Sequence, residues 1–255
     1  MEQIIFYTHS VSCLCLGWCQ LRRIHRTTQI LNSEAAAKKK DTNTKKRNIS
    51  NRLIFPVLTV PQKENVKSIT AVDLRPIGMS WCKLEDGRVT NWNYESINIR
   101  ALNDHMAILE KARSLVEKLP KSDAYVEEDR TLINKMTNPL YLGIYSRKIQ
   151  VHSSVLTLIC NQNPEPHYVF MKPLVVQQLY KIQVGGERST TQKIVSQFLE
   201  EDDSRLSEIV RKTKPCFDEC LVENYLKQKH EVRETMSTAL LVALTFSNEI
   251  LGDNS

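Results

Sequence analysis

The chain lacks any apolar run of the roughly 18 to 20 residues needed to cross a bilayer, so no membrane partner is expected. It also has no internal repeat, and its glycine pair at Gly185-Gly186 is followed by Glu187-Arg188-Ser189 rather than by the Lys-Ser or Lys-Thr of a P-loop. Cysteine is present but not organised. Cys13, Cys15 and Cys19 fall near the start, and Cys82, Cys160, Cys216 and Cys220 are too scattered for a disulfide framework. Cys216 and Cys220 are four apart with His230 beyond them, but no second pair completes a four-ligand zinc set. The six histidines include no pair at metal-ligand spacing, and no Ser-His-Asp arrangement can be argued from the order of residues.

What is present begins with charge. The 255 residues carry a formal net charge of +6. Residues 1–50 hold nine Lys/Arg against three acids, which leaves 26 of each sign in the remainder. The basicity therefore belongs to the leader. A basic groove in the body has to be made by arrangement, because composition supplies none.

The leader combines a short apolar stretch, Arg22, Arg23 and Arg26, hydroxyl residues and almost no acid, which is the pattern of a mitochondrial transit peptide. A secretory signal competes, since Val11 to Trp18 resembles an apolar core segment. The positive charge follows that segment and Glu2 precedes it, which favours the mitochondrial reading. The lysine-rich stretch AAAKKKDTNTKKRNISNR has no periodicity and reads as a solvated linker, with a nucleic-acid-binding arm as the alternative. The expected organisation is residues 1–47 as leader and basic linker, 48–64 as linker, and 65–255 as one folded domain.

In that domain Ser68 to Leu74, Met79 to Leu84 and Val89 to Tyr94 read as three strands. Arg75-Pro76-Ile77-Gly78 and Glu85-Asp86-Gly87-Arg88 supply the turns, which makes a meander. Leu102, Met106, Leu109, Ala112, Val116 and Leu119 lay one apolar stripe on a helix, capped by Asn103 or Asp104 and stopped by Pro120. Asp123 to Glu128 is a fourth strand, Pro139 to Cys160 a helix, and Tyr168 to Met171 a fifth strand. A helix opened by Lys172-Pro173 and broken at Gly185-Gly186 follows, then one started by Ser189 or Thr190. A last long helix is expected from about Leu221 to Leu251.

Asp73 ends an otherwise apolar strand, where a carboxylate is costly unless something pairs with it. It reads as a metal ligand, as a partner of the following turn, or as the relic of an active site. The order of elements resembles nucleases of the ribonuclease H type, which place an acid on the first strand, another at the end of the fourth, and more on the last helix. Two Mg²⁺ ions clamp the oxygens of a phosphodiester there, and the carboxylates tolerate one another only because metal binds. Asp73 matches the first position and Glu128 the second, with Glu127 its neighbour aimed oppositely by strand alternation. On the last helix, VRETMSTALLVAL offers Glu234, but Thr235 and Thr238 stand where further acids belong.

The stretches NVKSITAVDLRPIGMSWCKLEDGRVTNW, VEKLPKSDAYVEED, YVFMKPLVVQQLYKIQVGGERSTTQKIVSQFL and ETMSTALLVALTFSNEI together resemble the carboxy-terminal domain of the mitochondrial transcription elongation factor family, over roughly residues 65–251. That resemblance implies an α/β, ribonuclease H-like and RuvC-like fold. Its sheet would be mixed and five-stranded, a three-stranded antiparallel meander plus two parallel strands, flanked by helices. It implies a chain that is not an enzyme, with Asp73, Glu128 and Glu234 as vestigial acids and no metal or other cofactor. Its partners would be mitochondrial RNA polymerase, the DNA and RNA of the elongation complex, and a second copy in a homodimer, in the matrix nucleoid. The family's amino-terminal helix-hairpin-helix units have no counterpart in residues 48–64. The alternative from another class is an active, Mg-dependent mitochondrial Holliday-junction resolvase. A third is a scaffold for mitochondrial RNA or ribosomal components.

Arg75, Lys172, Arg188 and Lys193 are the expected nucleic-acid contacts. The Gly185–Ser189 segment reads either as a phosphate cradle on helix N–H groups or as a helix break. Trp81 and Trp92, on adjacent strands, read as sheet packing more than as base-stacking platforms.

Overall fold

The computed structural model describes residues 53–129, 139–162, 167–172, 175–184, 187–188, 190–200 and 213–252. All lie in the unit Lys46–Ser255. Its centre is built from the turn chemistry outward. Asp86 and Gly87 take φ of 50° and 75°, the left-handed pair that a tight hairpin needs, and join β3 (Gly78–Glu85) to β4 (Arg88–Ser96). On the other side β3 pairs antiparallel with β2 (Ser68–Arg75), in register from Ser68↔Glu85 to Arg75↔Gly78. Gly78 is required at that turn: a side-chain carbon there would collide with the ring of Tyr94, whose hydroxyl donates to the carbonyl of Ile77 at 2.7 Å.

β5 (Ala124–Glu128) runs parallel to β2, and β6 (His167–Met171) parallel to β5. Asp123 anchors this pairing, because its carboxylate accepts from the N–H groups of Lys67 and Ser68 and from the Ser68 hydroxyl. These five strands are the expected meander plus parallel pair. The sheet gains two short edges, so among the described residues it has seven strands rather than five. β1 (Ile54–Phe55) lies antiparallel to β6, and β9 (Cys216–Phe217) parallel to β4, in the order β1-β6-β5-β2-β3-β4-β9. Two residues cannot display a periodicity, so neither edge is visible to pattern reading.

Both faces of the sheet are covered, and the alternation along β2 sorts its residues between them. Ile69 and Ala71 join Val126, Trp92 and the apolar side of the last helix in one core. Val72 and Leu74 join Trp81, Tyr125 and two further helices in a second. The second core is closed by α2 (His105–Lys118), capped by Asp104 through a bond from the Ala107 N–H, and by α3 (Pro139–Gln162). α1 (Val60–Asn65) is a short turn before β2. α4 (Val175–Leu179) is only five residues long, shorter than the expected helix there. Beyond it Gln183–Val184 (β7) and Glu187–Arg188 (β8) pair antiparallel. Gly185-Gly186 themselves, and the cradle reading placed on them, lie outside the described residues. α5 (Thr191–Leu199) starts at Thr190, whose side chain accepts from the Lys193 N–H.

The expected single helix over 221–251 is corrected to three pieces. α6 (Glu219–Leu226) ends, Lys229 is extended, α7 (His230–Thr245) begins, and a π-type turn (Phe246–Leu251) continues it. α7 is buried on all sides from Thr235 to Thr245, since the sheet covers one side and α4, α5 and α6 pack on others. A helix buried all round needs its polar groups satisfied. Thr235, Thr238 and Thr245 donate their hydroxyls to the carbonyls of Val232, Glu234 and Leu241, and Ser237 pairs with the Tyr225 hydroxyl.

Candidate functional site

The register of the parallel strands decides which of two neighbouring acids faces the last helix. Val72 is opposite Glu127, so Asp73 and Glu128 come next, side by side at the ends of adjacent strands. Residues aligned across parallel strands point to the same face, which is the face that α7 covers. Asp73 and Glu128 are both buried, at 6% and 7% exposure. Such a position for a carboxylate demands a partner. For Asp73 it is Arg75, whose Nε donates to Oδ2 at 2.8 Å. Another nitrogen of the same guanidinium donates to the Thr238 hydroxyl at 2.9 Å. Arg75 thus ties the end of β2 to α7. It is found on the acid itself, rather than set out as an open contact.

Glu127 points the other way, into the space between the sheet and α3. His152 of α3 bonds to its Oε2, and the Tyr168 hydroxyl donates to the same oxygen at 2.9 Å. Burial pushes His152 towards the neutral form, but the charge and hydrogen bond of Glu127 outweigh this and raise its pKa above the ordinary histidine value. Burial, reinforced by the Glu127 charge, holds the Tyr168 phenol well above its usual range. Glu127 therefore serves the buried network under the sheet, while Glu128 stands beside Asp73. Alternation predicts that one of the two faces each way, and only the strand register identifies which.

A cleft opens at these strand ends. Asp73, Glu127, Glu128 and Asp129 line one side, and Tyr145, Lys148 and His152 of α3 line the other, with Phe170 between. Glu234 does not join the acidic pair in one ligand set. Among the described residues no three His, Cys, Asp or Glu side chains converge closely enough to hold one ion. With Thr235 and Thr238 at the neighbouring helix positions and a guanidinium on Asp73, the donors present do not fit the two-magnesium arrangement of the fold's nucleases.

Lys172 is exposed beyond β6, and Lys193 is exposed on α5. Arg188 belongs to β8, and its side chain lies outside the described residues. None of these three lines the strand-end cleft. Trp81 and Trp92 are packing residues on opposite faces of the sheet. Trp81 sits in one core and donates to Asn91, and Trp92 sits in the other and donates to the Met236 carbonyl. The α3 wall was not singled out in the sequence. Its only signal was Tyr145, Lys148 and His152 at steps of three and four on an otherwise acid-free helix.

No protein-family model matches the chain, and no curated protein matches it. Among solved structures it is similar to the yeast mitochondrial Holliday junction resolvase Ydc2, at 15% identity over 86% of this chain and 90% of that one, with a TM-score of 0.53. It also matches Thermus thermophilus RuvC in complex with a Holliday junction substrate, at 12% identity over 71% of this chain and 92% of that one, with a TM-score of 0.35. The chain has the RuvC-like, ribonuclease H-like α/β fold, a mixed sheet flanked by helices. The expectation that it is not an enzyme is corrected by this comparison. It rested on the acids missing from the last helix, whereas a solved structure of similar fold is a resolvase and the two strand-end carboxylates stand together.

Proposed function

We propose that the protein processes branched DNA as a resolvase-type nuclease, taking a four-way junction across the strand-end cleft and hydrolysing a phosphodiester beside Asp73 and Glu128. The observation that carries this reading is the pairing of those two acids at the ends of β2 and β5, on the face of α7. The likeness of fold to the yeast resolvase supports it. In this reading a carboxylate of the pair accepts the proton of the attacking water as its oxygen bonds to phosphorus. The bond from phosphorus to the departing sugar oxygen breaks, and that oxygen takes a proton from solvent. Arg75, held on Asp73, lowers the negative charge of the site. Because a four-way junction has two equivalent strands to cut, the working form is a homodimer. The Arg-rich leader and the mitochondrial origin of the yeast structure support a place in the matrix nucleoid.

The test is cleavage of labelled four-way junctions by the full chain, in Mg²⁺, in Mn²⁺ and in EDTA, beside Asp73→Asn and Glu128→Gln. Cutting by the wild type that falls about 100-fold or more in both variants is the expected result. A folded wild type that cuts in none of the three conditions sinks the reading.

One observation favours a second reading. Arg75 bridges Asp73 and Thr238 across the place where the fold's nucleases gather their acids. This suits a protein that grips nucleic acid in an elongation complex with mitochondrial RNA polymerase and raises processivity, as the sequence resemblance implies. Run-off transcription by that polymerase separates the two: longer transcripts on adding the protein favour this reading, and unchanged transcripts remove it.

A further inference from the structure

The cleft has two chemically different walls. The strand ends present Asp73, Glu127, Glu128 and Asp129, while α3 contributes Tyr145, Lys148 and His152. α3 contains no Asp or Glu from Pro139 to Gln162. Tyr145, Lys148 and His152 recur three and four residues apart, so they form one stripe along the helix, turned into the cleft. The deepest of them, His152, is committed to Glu127. Nearer the rim, Lys148 carries a positive charge on a long apolar stem, and Tyr145 a flat ring with a polar tip; both are half-buried.

A polyanion cannot approach these carboxylates unless cations nearby offset the repulsion. The body as a whole is neutral, so that offset has to be local. We propose that Lys148 and Tyr145 hold one strand of the bound nucleic acid against α3, Lys148 on a phosphate and Tyr145 against the adjoining sugar or base, so that the backbone lies opposite Asp73 and Glu128. This rests on the junction-processing reading and names the positioning residues for it. Lys148 acts as a point charge, so its loss shows in the salt dependence of binding. Tyr145 acts through its ring face, so its loss weakens binding without changing that dependence.

The experiment measures binding of the full chain to a fluorescent four-way junction by anisotropy, in EDTA, over a series of salt concentrations. Lys148→Ala is expected to bind about tenfold more weakly and to lower the log–log salt slope by about 0.9, while Lys148→Arg keeps most of both. Tyr145→Ala is expected to lose about tenfold at unchanged slope, and Tyr145→Phe to bind like the wild type. Lys227→Ala, at the exposed C-cap of α6 and paired with Glu223, serves as the control that changes neither. A Lys148→Ala protein that binds with wild-type slope overturns the proposal and leaves the junction reading standing. The same holds if its loss of affinity tracks a lowered unfolding midpoint. A wild type that binds no junction overturns both.

Discussion

At the scale of single residues, the buried charges explain themselves by their partners. Asp73 is tolerable inside because Arg75 reaches it, and Glu127 because His152 and Tyr168 do. The second pair makes stability depend on pH. Facing His152 are Glu127 from β5, Lys148 from its own helix and Asp129 beyond the strand. Burial alone lowers the histidine pKa, and Glu127 more than reverses this, so the folded value lies above the unfolded one of about 6.5. A raised value means that the folded state binds the proton more tightly. Its contribution to stability is complete below the unfolded pKa and disappears as pH rises through the folded one. The unfolding midpoint is therefore expected to fall as pH rises above the unfolded histidine value. Glu127→Gln should lower the midpoint at pH 6 and flatten its decline with pH. Calorimetric scans from pH 6 to 9 check this, and an equally steep decline in the variant would place the titrating group elsewhere.

At the scale of elements, the sheet was legible where local chemistry writes it. Asp86-Gly87 fixed the β3–β4 hairpin, and alternation marked the five central strands. Asp104 and Pro120 bounded α2 as their capping and breaking chemistry requires. The break between α6 and α7 was not legible, because neither glycine nor proline occurs from Glu219 to Thr245. The contacts around Trp92 show why the chain folds back there. Tyr225 of α6 stacks on Trp92, with ring centroids 4.3 Å apart, and its hydroxyl bonds to Ser237 of α7. Trp92 itself donates to the Met236 carbonyl at 2.9 Å. Tertiary contacts therefore set the break. Of the site, alternation told that Glu127 and Glu128 diverge, and the missing acids at Thr235 and Thr238 were plain. The α3 wall was hidden, because which stripe of a helix meets a cleft is settled by packing. Trp92→Phe should cost about 1 to 3 kcal/mol, from a lost buried hydrogen bond and incomplete filling beside Tyr225. Urea unfolding measures it, and a loss under 0.5 kcal/mol would mean that the α6–α7 junction does not depend on this ring.

At the scale of the whole molecule, charge and symmetry constrain what the body can do with DNA. With 26 charges of each sign after residue 50, it has no general field to draw a duplex in. In the junction-processing reading, recognition comes from local patches such as the strand-end cleft, which each copy presents. A four-way junction exposes two equivalent continuous strands related by a two-fold axis. A single copy would nick one and leave the product still joined. Two copies about the same axis present two clefts to the two strands and release both in one encounter. Sedimentation equilibrium of the full chain bound to a junction should therefore give protein at twice 29.4 kDa per junction. On a circular cruciform substrate, the two nicks should appear together, with linear product formed in step with loss of circles. One chain per junction at saturation, with nicked circles accumulating before any linear product, would show that the copies act alone and that the dimer is no part of the function.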